Sequence, residues 1–112
     1  MPSRDPAARY RDILSYIDAA QSDTDGMEFA AFLASPTVQR SVIYCLQCIS
    51  EAAVKLGYHA EEHAPEADWR NIRGFGNISR HDYGEIDLTL VWSILRDGLP
   101  GLKRSCERVL GA

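Results

Sequence analysis

The greatest chemical capacity in this sequence lies between Trp69 and Asp87, in the run WRNIRGFGNISRHDYGEID. Four basic side chains, Arg70, Arg73, Arg80 and His81, fall there within twelve positions. The chain around them is acidic, with twelve Lys and Arg against sixteen Asp and Glu and a net charge of −4. Such a chain lacks the broad basic field that drives non-specific binding to nucleic acid or to a membrane surface. Any chemistry on nucleic acid must therefore come from a local basic site, and the cations gather here. On a helix, Asn77 and His81 share one face a turn apart, and Arg73 lies one turn further back. Arg80 flanks His81 directly. Tyr83 falls just past the helix, where a turn at Gly84 would leave its hydroxyl exposed. Gly74 and Gly76 interrupt the helical spacing at a cost of about 1 kcal/mol each relative to alanine. That cost points to a bend, a close backbone approach or a ligand. A surface helix whose glycines merely allow tight packing accounts for the same residues, and on them alone it stays open.

Two other constellations have the spacing of metal or redox sites. Cys45-Leu46-Gln47-Cys48 places two thiols one helical turn apart, but a structural zinc needs four ligands and the only other cysteine is Cys106. In an apolar helix a free cysteine behaves as a small hydrophobe, so these thiols are expected to pack in the core. His59 and His63 stand four apart with Glu61 and Glu62 between them. The glutamate is not adjacent to the first histidine, as the metalloprotease pattern requires, and Gly57 and Pro65 leave little room for a helix. A solvated turn is expected there. No metal and no cofactor is expected anywhere in the chain.

The elements that must position these residues read as helices nearly throughout. Asp5-Pro6 supplies an N-cap and a proline at the first helical position, and Tyr10, Ile13, Leu14 and Ile17 follow at helical spacing. The first helix is expected from about 6 to 21, ending in SDTDG, with a short helical piece in MEFAAFLA after it. Ser35-Pro36 repeats the start signal. Val38, Val42, Cys45, Ile49, Ala52 and Leu56 then advance by threes and fours, with a second stripe at Ile43, Leu46 and Ala53. That helix is expected at the bundle centre, ending near Gly57. A fourth helix is expected to start near Pro65 and to carry Trp69, Ile72 and Phe75. Leu88, Val91, Leu95, Leu99, Leu102, Cys106 and Val109 keep one rhythm behind Asp87 as N-cap, with a kink or short break near Pro100. Nothing alternates with period two for long, so strands are not expected. The architecture that fits is all-α, an antiparallel up-and-down bundle of four to five helices.

Length and composition set the outer bounds. The 112 residues make one domain, 1–112, and the 46% apolar and 25% charged content excludes disordered, collagen-like and low-complexity chains. The charged start MPSRDPAARYRDIL is unlike a signal peptide, and no apolar run approaches the roughly 18 residues of a membrane span. Three cysteines are an odd number, which argues against a disulfide framework and for a reducing compartment. A cytoplasmic location without membrane attachment is expected.

The run PEADWRNIRGFGNISRHDYGEIDLTLVWSIL resembles the HepT-like toxins, a branch of the HEPN superfamily of small all-helical proteins. The likeness extends to the order and lengths of the helices over most of the chain. The family's signature is an arginine, four to six residues, a histidine, one residue and a tyrosine, followed by an Ile-Asp that opens the last helix. His81-Asp82-Tyr83 and Ile86-Asp87 match it. The usual arginine position holds Gly76, and Ser79-Arg80-His81 looks like a variant in which the arginine has moved next to the histidine. The resemblance implies a metal-independent endoribonuclease, the toxin of a HepT/MntA-like type VII toxin–antitoxin system. Its implied partners are RNA as substrate, a second copy in a homodimer, and a small nucleotidyltransferase antitoxin; DNA is not among them. The antitoxin would silence the toxin by transferring AMP onto Tyr83. The implied catalytic set is His81 as general acid or base, Arg80 or Arg73 on the phosphate, and Asn77 orienting one or the other. Loss of the usual arginine leaves open an alternative: a catalytically weak or inert homodimer that binds, and is modified by, the nucleotidyltransferase.

Overall fold

The computed structural model describes residues 5–79 and 86–111, leaving aside the side chains of Asn77 and Ser79. Among the described residues it is an all-α antiparallel bundle with no strand. Helix α1 (Pro6–Asp23) starts where the capping chemistry predicts, the Asp5 carboxylate accepting from the Ala8 amide at 3.2 Å. Tyr10, Ile13, Ile17 and Ala20 recur at helical spacing and are fully buried. The helix runs two residues beyond the expected end and closes on Thr24, whose buried hydroxyl donates to the Ala20 carbonyl at 2.8 Å. Gly26, at φ +73°, then reverses the chain in the left-handed region that glycine enters without strain. Helix α2 (Phe29–Leu33) follows, its Phe32 ring packed 5.1 Å from that of Trp92.

Helix α3 (Pro36–Leu56) forms the centre. The Ser35 hydroxyl caps it, accepting from Val38 N at 3.3 Å. Its two apolar stripes are both buried, because α1 packs along one side while the later elements cover the other. Gly57 ends it at φ +57°. Helix α4 (His59–His63) comes next and corrects the expectation of a turn. Gly57 is not an obstacle, since it terminates α3 and redirects the chain, and Pro65 lies beyond the α4 C-cap at Ala64. Helix α5 (Trp69–Arg73) starts four residues after Pro65, because Asp68 is the residue that caps it. Its continuation, Gly74–Ser79, tightens into a 3-10 helix that carries Phe75.

Asp87 opens helix α6 (Leu88–Ser93), accepting from the Leu90 amide at 3.0 Å. A π-helical turn over Ile94–Gly98 follows, then helix α7 (Leu99–Gly111). The irregularity expected at Pro100 is thus absorbed in the turn before it. Pro100 has no N–H for the Arg96 carbonyl, and its ring crowds that carbonyl, so the winding loosens upstream. Val91, Leu95, Leu99, Leu102 and Cys106 stay buried through the change. No helix among the described residues is long and apolar enough to cross a membrane.

Candidate functional site

The chain approaches its basic segment through α5, whose placement is fixed by three anchors. Trp69 is buried, its indole N–H donating to the Ala64 carbonyl at 2.8 Å. The Asp68 carboxylate accepts from the Asn71 amide at 3.3 Å and from its side-chain nitrogen at 2.8 Å. From α3, the Ser50 hydroxyl donates to the Arg73 carbonyl at 2.6 Å, pinning the last turn of α5 to the central helix. On the far side Asp87 caps α6, so both ends of the segment rest on the bundle.

Arg73 is committed to this scaffold. Its guanidinium donates to both carboxylate oxygens of Glu61, at 2.6 and 2.8 Å, in a bidentate fork. The same group donates from Nη2 to the Gly57 carbonyl at 2.9 Å and from Nε to the Ala53 carbonyl at 3.3 Å. One side chain therefore satisfies the Ala53 carbonyl in the last turn of α3, adds a second donor to the Gly57 carbonyl, which also accepts from the Ala60 amide at 3.3 Å, and ties in α4 through Glu61. The hydrogen bonds from Arg73 hold the Glu61 carboxyl below its ordinary pKa, and Glu61 in turn raises that of Arg73. Spacing had offered Arg73 as one of two phosphate-binding candidates. In the fold its donors are occupied by Glu61 and the end of α3. Sequence reading did not find Glu61, because a partner twelve residues away across a helix–helix turn leaves no periodic signal. Asn77 lies on the 3-10 helix with its side chain outside the description, and Arg80, His81 and Tyr83 lie outside the described residues.

Beside this scaffold a cleft of about 680 Å³ opens between α5 with its 3-10 extension and the π turn with α7. Ile72, Phe75, Ile94 and Leu102 form its apolar lining, and Asp68, Asp97 and Arg104 are among its polar groups. At one end Arg108 forks onto Glu66 at 2.7 and 2.9 Å, which holds that carboxyl down to about 2.

The thiols of the Cys-x-x-Cys pair divide. Cys45 is buried in the core, where burial pushes its pKa up to about 11, and Cys106 is raised to about 12 for the same reason. Cys48 is half-buried beside the Tyr16 and Tyr44 rings, whose centroids are 6.1 Å apart. No group of three or more His, Cys, Asp or Glu among the described residues has the geometry to hold a metal. His59 is half-buried and lies 2.9 Å, through Nδ1, from the buried Tyr10 hydroxyl. Burial first, and then the His63 ring, lowers its pKa.

Comparison with known proteins places these observations in a wider set. The model of a family described as "Ribonuclease HepT-like" matches residues 13–109. A candidate RNase of Methanocaldococcus jannaschii is 30% identical over 98% of this chain and 95% of its own length. A second candidate RNase from the same organism is 29% identical over 98% of this chain and 91% of its own. A candidate ribonuclease HepT of Thermococcus cleftensis is 26% identical over 88% and 89%. No solved structure matches at a significant level.

Proposed function

This chain belongs to the HepT-like ribonuclease family, and on that premise we propose that it is a metal-independent endoribonuclease, the toxin of a toxin–antitoxin pair, with His81 as its catalytic residue. One observation carries the reading. The matched stretch encloses His81-Asp82-Tyr83, and the Asp87 that follows caps α6, as the Ile-Asp of the signature requires. Imidazole is the side chain whose ordinary pKa lies near neutrality, so His81 is suited to take the proton from an RNA 2′-hydroxyl or return one to the leaving oxygen. Arg80 holds the phosphate and stabilises the charge that develops on its oxygens, while Asn77 orients the imidazole or the phosphate. Arg73 contributes by holding the helix end from which the segment departs.

A homodimer brings two copies of this segment to one cleft and raises the local positive potential on an otherwise acidic protein. The partner is a nucleotidyltransferase. The Tyr83 oxygen attacks the α-phosphorus of ATP, pyrophosphate leaves, and the AMP added over the basic patch pairs with its cations and blocks RNA. A second reading draws support from Gly76 at the usual arginine position and from the commitment of Arg73 to Glu61. In that reading the chain is a weak or inert binding partner whose role is to be modified at Tyr83.

Induced expression separates the two. The toxin reading expects growth arrest that His81→Ala relieves while the purified variant keeps its helical circular dichroism. If wild type and His81→Ala are equally harmless, the inert-partner reading replaces it. Incubation with the nucleotidyltransferase and ATP is expected to add one or more AMP units by intact mass, and Tyr83→Phe to prevent it. An unchanged mass rejects the modification.

A further inference from the structure

We propose that the solvent-facing side of α3 is the homodimer surface, where a second copy packs its own α3 antiparallel about a two-fold axis level with Ala53. The proposal rests on the homodimer of the proposed function and assigns it a surface. Helix α3 is the centre of the bundle, yet a stripe along it stays open. Tyr44, Glu51, Val54 and Lys55 are all exposed, Tyr44 to 58% and Val54 to 57%. At 3.6 residues per turn these four fall within an arc of about 100°, the width of a helix–helix contact. Tyr58, just past Gly57, is 71% exposed and adds apolar surface at the helix end. Apolar side chains scattered singly on a surface need no account, but large ones strung along the central helix mark a contact.

Charge selects the partner and its register. Glu51 and Lys55 stand one turn apart beside Val54, and neither side chain has a hydrogen bond or ion pair among the described residues. A parallel pair about a two-fold axis sets each residue of the stripe opposite its own copy, so Glu51 meets Glu51 and Lys55 meets Lys55. An antiparallel pair centred on Glu51 also opposes two carboxylates. Centred level with Ala53, each Glu51 faces the partner's Lys55, the pair occurs twice, and the two Val54 side chains meet at the axis. The same arrangement places the basic segments. Ser50 lies about 100° round α3 from Glu51, so it points along the contact rather than into it. It holds the Arg73 carbonyl at the end of α5, and the 3-10 helix packs on α3 as well. A two-fold axis perpendicular to both helices keeps that side common to the two copies. Both 3-10 helices, from which the His81 segments depart, then lie on one side of the α3 pair; a parallel pair would set them on opposite sides.

Light scattering after size exclusion, over a dilution series of the full chain, tests the surface. Wild type is expected at twice the 12.5 kDa chain mass. Lys55→Glu and Glu51→Lys each oppose like charges twice across the axis, so each is expected to weaken the dimer by about 10-fold or more with the helical circular dichroism unchanged. Glu51→Lys combined with Lys55→Glu restores the unlike pairs and is expected to return the dissociation constant to within about 3-fold of wild type. Val54→Asp, beside the axis, is expected to be monomeric. A dimer that both single reversals leave intact overturns this surface alone, and the homodimer of the proposed function then lies elsewhere. A monomeric wild type overturns both. Weakening by the reversals without recovery in their combination overturns the antiparallel register. If the reversals abolish binding of the nucleotidyltransferase while the dimer persists, the stripe belongs to that partner and the proposal falls. None of these readouts uses RNA, so the result does not depend on whether the chain is a nuclease.

Discussion

Replacing Arg73 with alanine tests the division of labour between scaffold and chemistry. The substitution removes a bidentate pair to Glu61 and the donors to the Ala53 and Gly57 carbonyls. The paired side chains are 26% and 38% exposed, so solvent screens them and the pair is worth about 0.5–1 kcal/mol. The Ala53 carbonyl loses its donor at a cost of about 1 kcal/mol, while the Gly57 carbonyl keeps the Ala60 amide. The sum is about 1.5–2 kcal/mol, which lowers Tm by about 6–8 °C for a domain of this length. Glu61→Gln keeps both carbonyl bonds and most of the shape, so it should cost only about 0.5–1 kcal/mol, or about 2–4 °C. Thermal denaturation by circular dichroism reads both. RNA cleavage measured well below the variant's Tm is expected to survive, since the proposed function gives the phosphate contact to Arg80. An Arg73→Ala protein as stable as wild type, or one fully folded at the assay temperature yet devoid of cleavage, would refute the reasoning and return this guanidinium to the chemistry.

Further outcomes follow from other parts of the structure. Glu66, held near 2 by Arg108, and Glu61, lowered by Arg73, are both more acidic folded than unfolded. Their stabilisation is complete above about pH 4.5 and is lost as pH falls below that, toward about 2 for Glu66, so Tm should drop on acidification and Arg108→Ala should flatten the drop. A thiol reagent at neutral pH should label Cys48 alone in the native protein and all three cysteines in denaturant, because Cys45 and Cys106 are buried with strongly raised pKa values. A Cβ at Gly101 meets only the Arg104 side chain at an ordinary 3.7 Å, so Gly101→Ala should raise stability by about 0.5–1 kcal/mol, seen as a higher Tm.

The parts of the fold legible in the sequence are those set by local chemistry. Asp5-Pro6, Ser35-Pro36 and Asp87 announce helix starts because each cap bonds an amide only three residues away. The buried stripes of α1, α3 and α7 follow from helical periodicity alone. Helix α4 is hidden in the sequence because Gly57 and Pro65 flank it as helix breakers, although each lies outside it, in a chain turn governed by backbone geometry. The start of α5 is obscured for a related reason: Pro65 is a common start residue, but the capping carboxylate is Asp68. In the candidate site, type, spacing and resemblance name the motif residues, and Arg80, His81 and Tyr83 lie outside the described residues. The support beneath them is not legible in the sequence, because the fork between Arg73 and Glu61 joins two helices whose relative placement depends on the whole core.

Cleavage of single-stranded RNA by the purified chain in the presence of EDTA, wild type against His81→Ala, tests the account most directly. Wild type is expected to cut without added metal, and the variant, with an unchanged helical spectrum, to be slower by about 10²–10⁴-fold. Equal rates for the two proteins, or cleavage by wild type that EDTA abolishes, would contradict it.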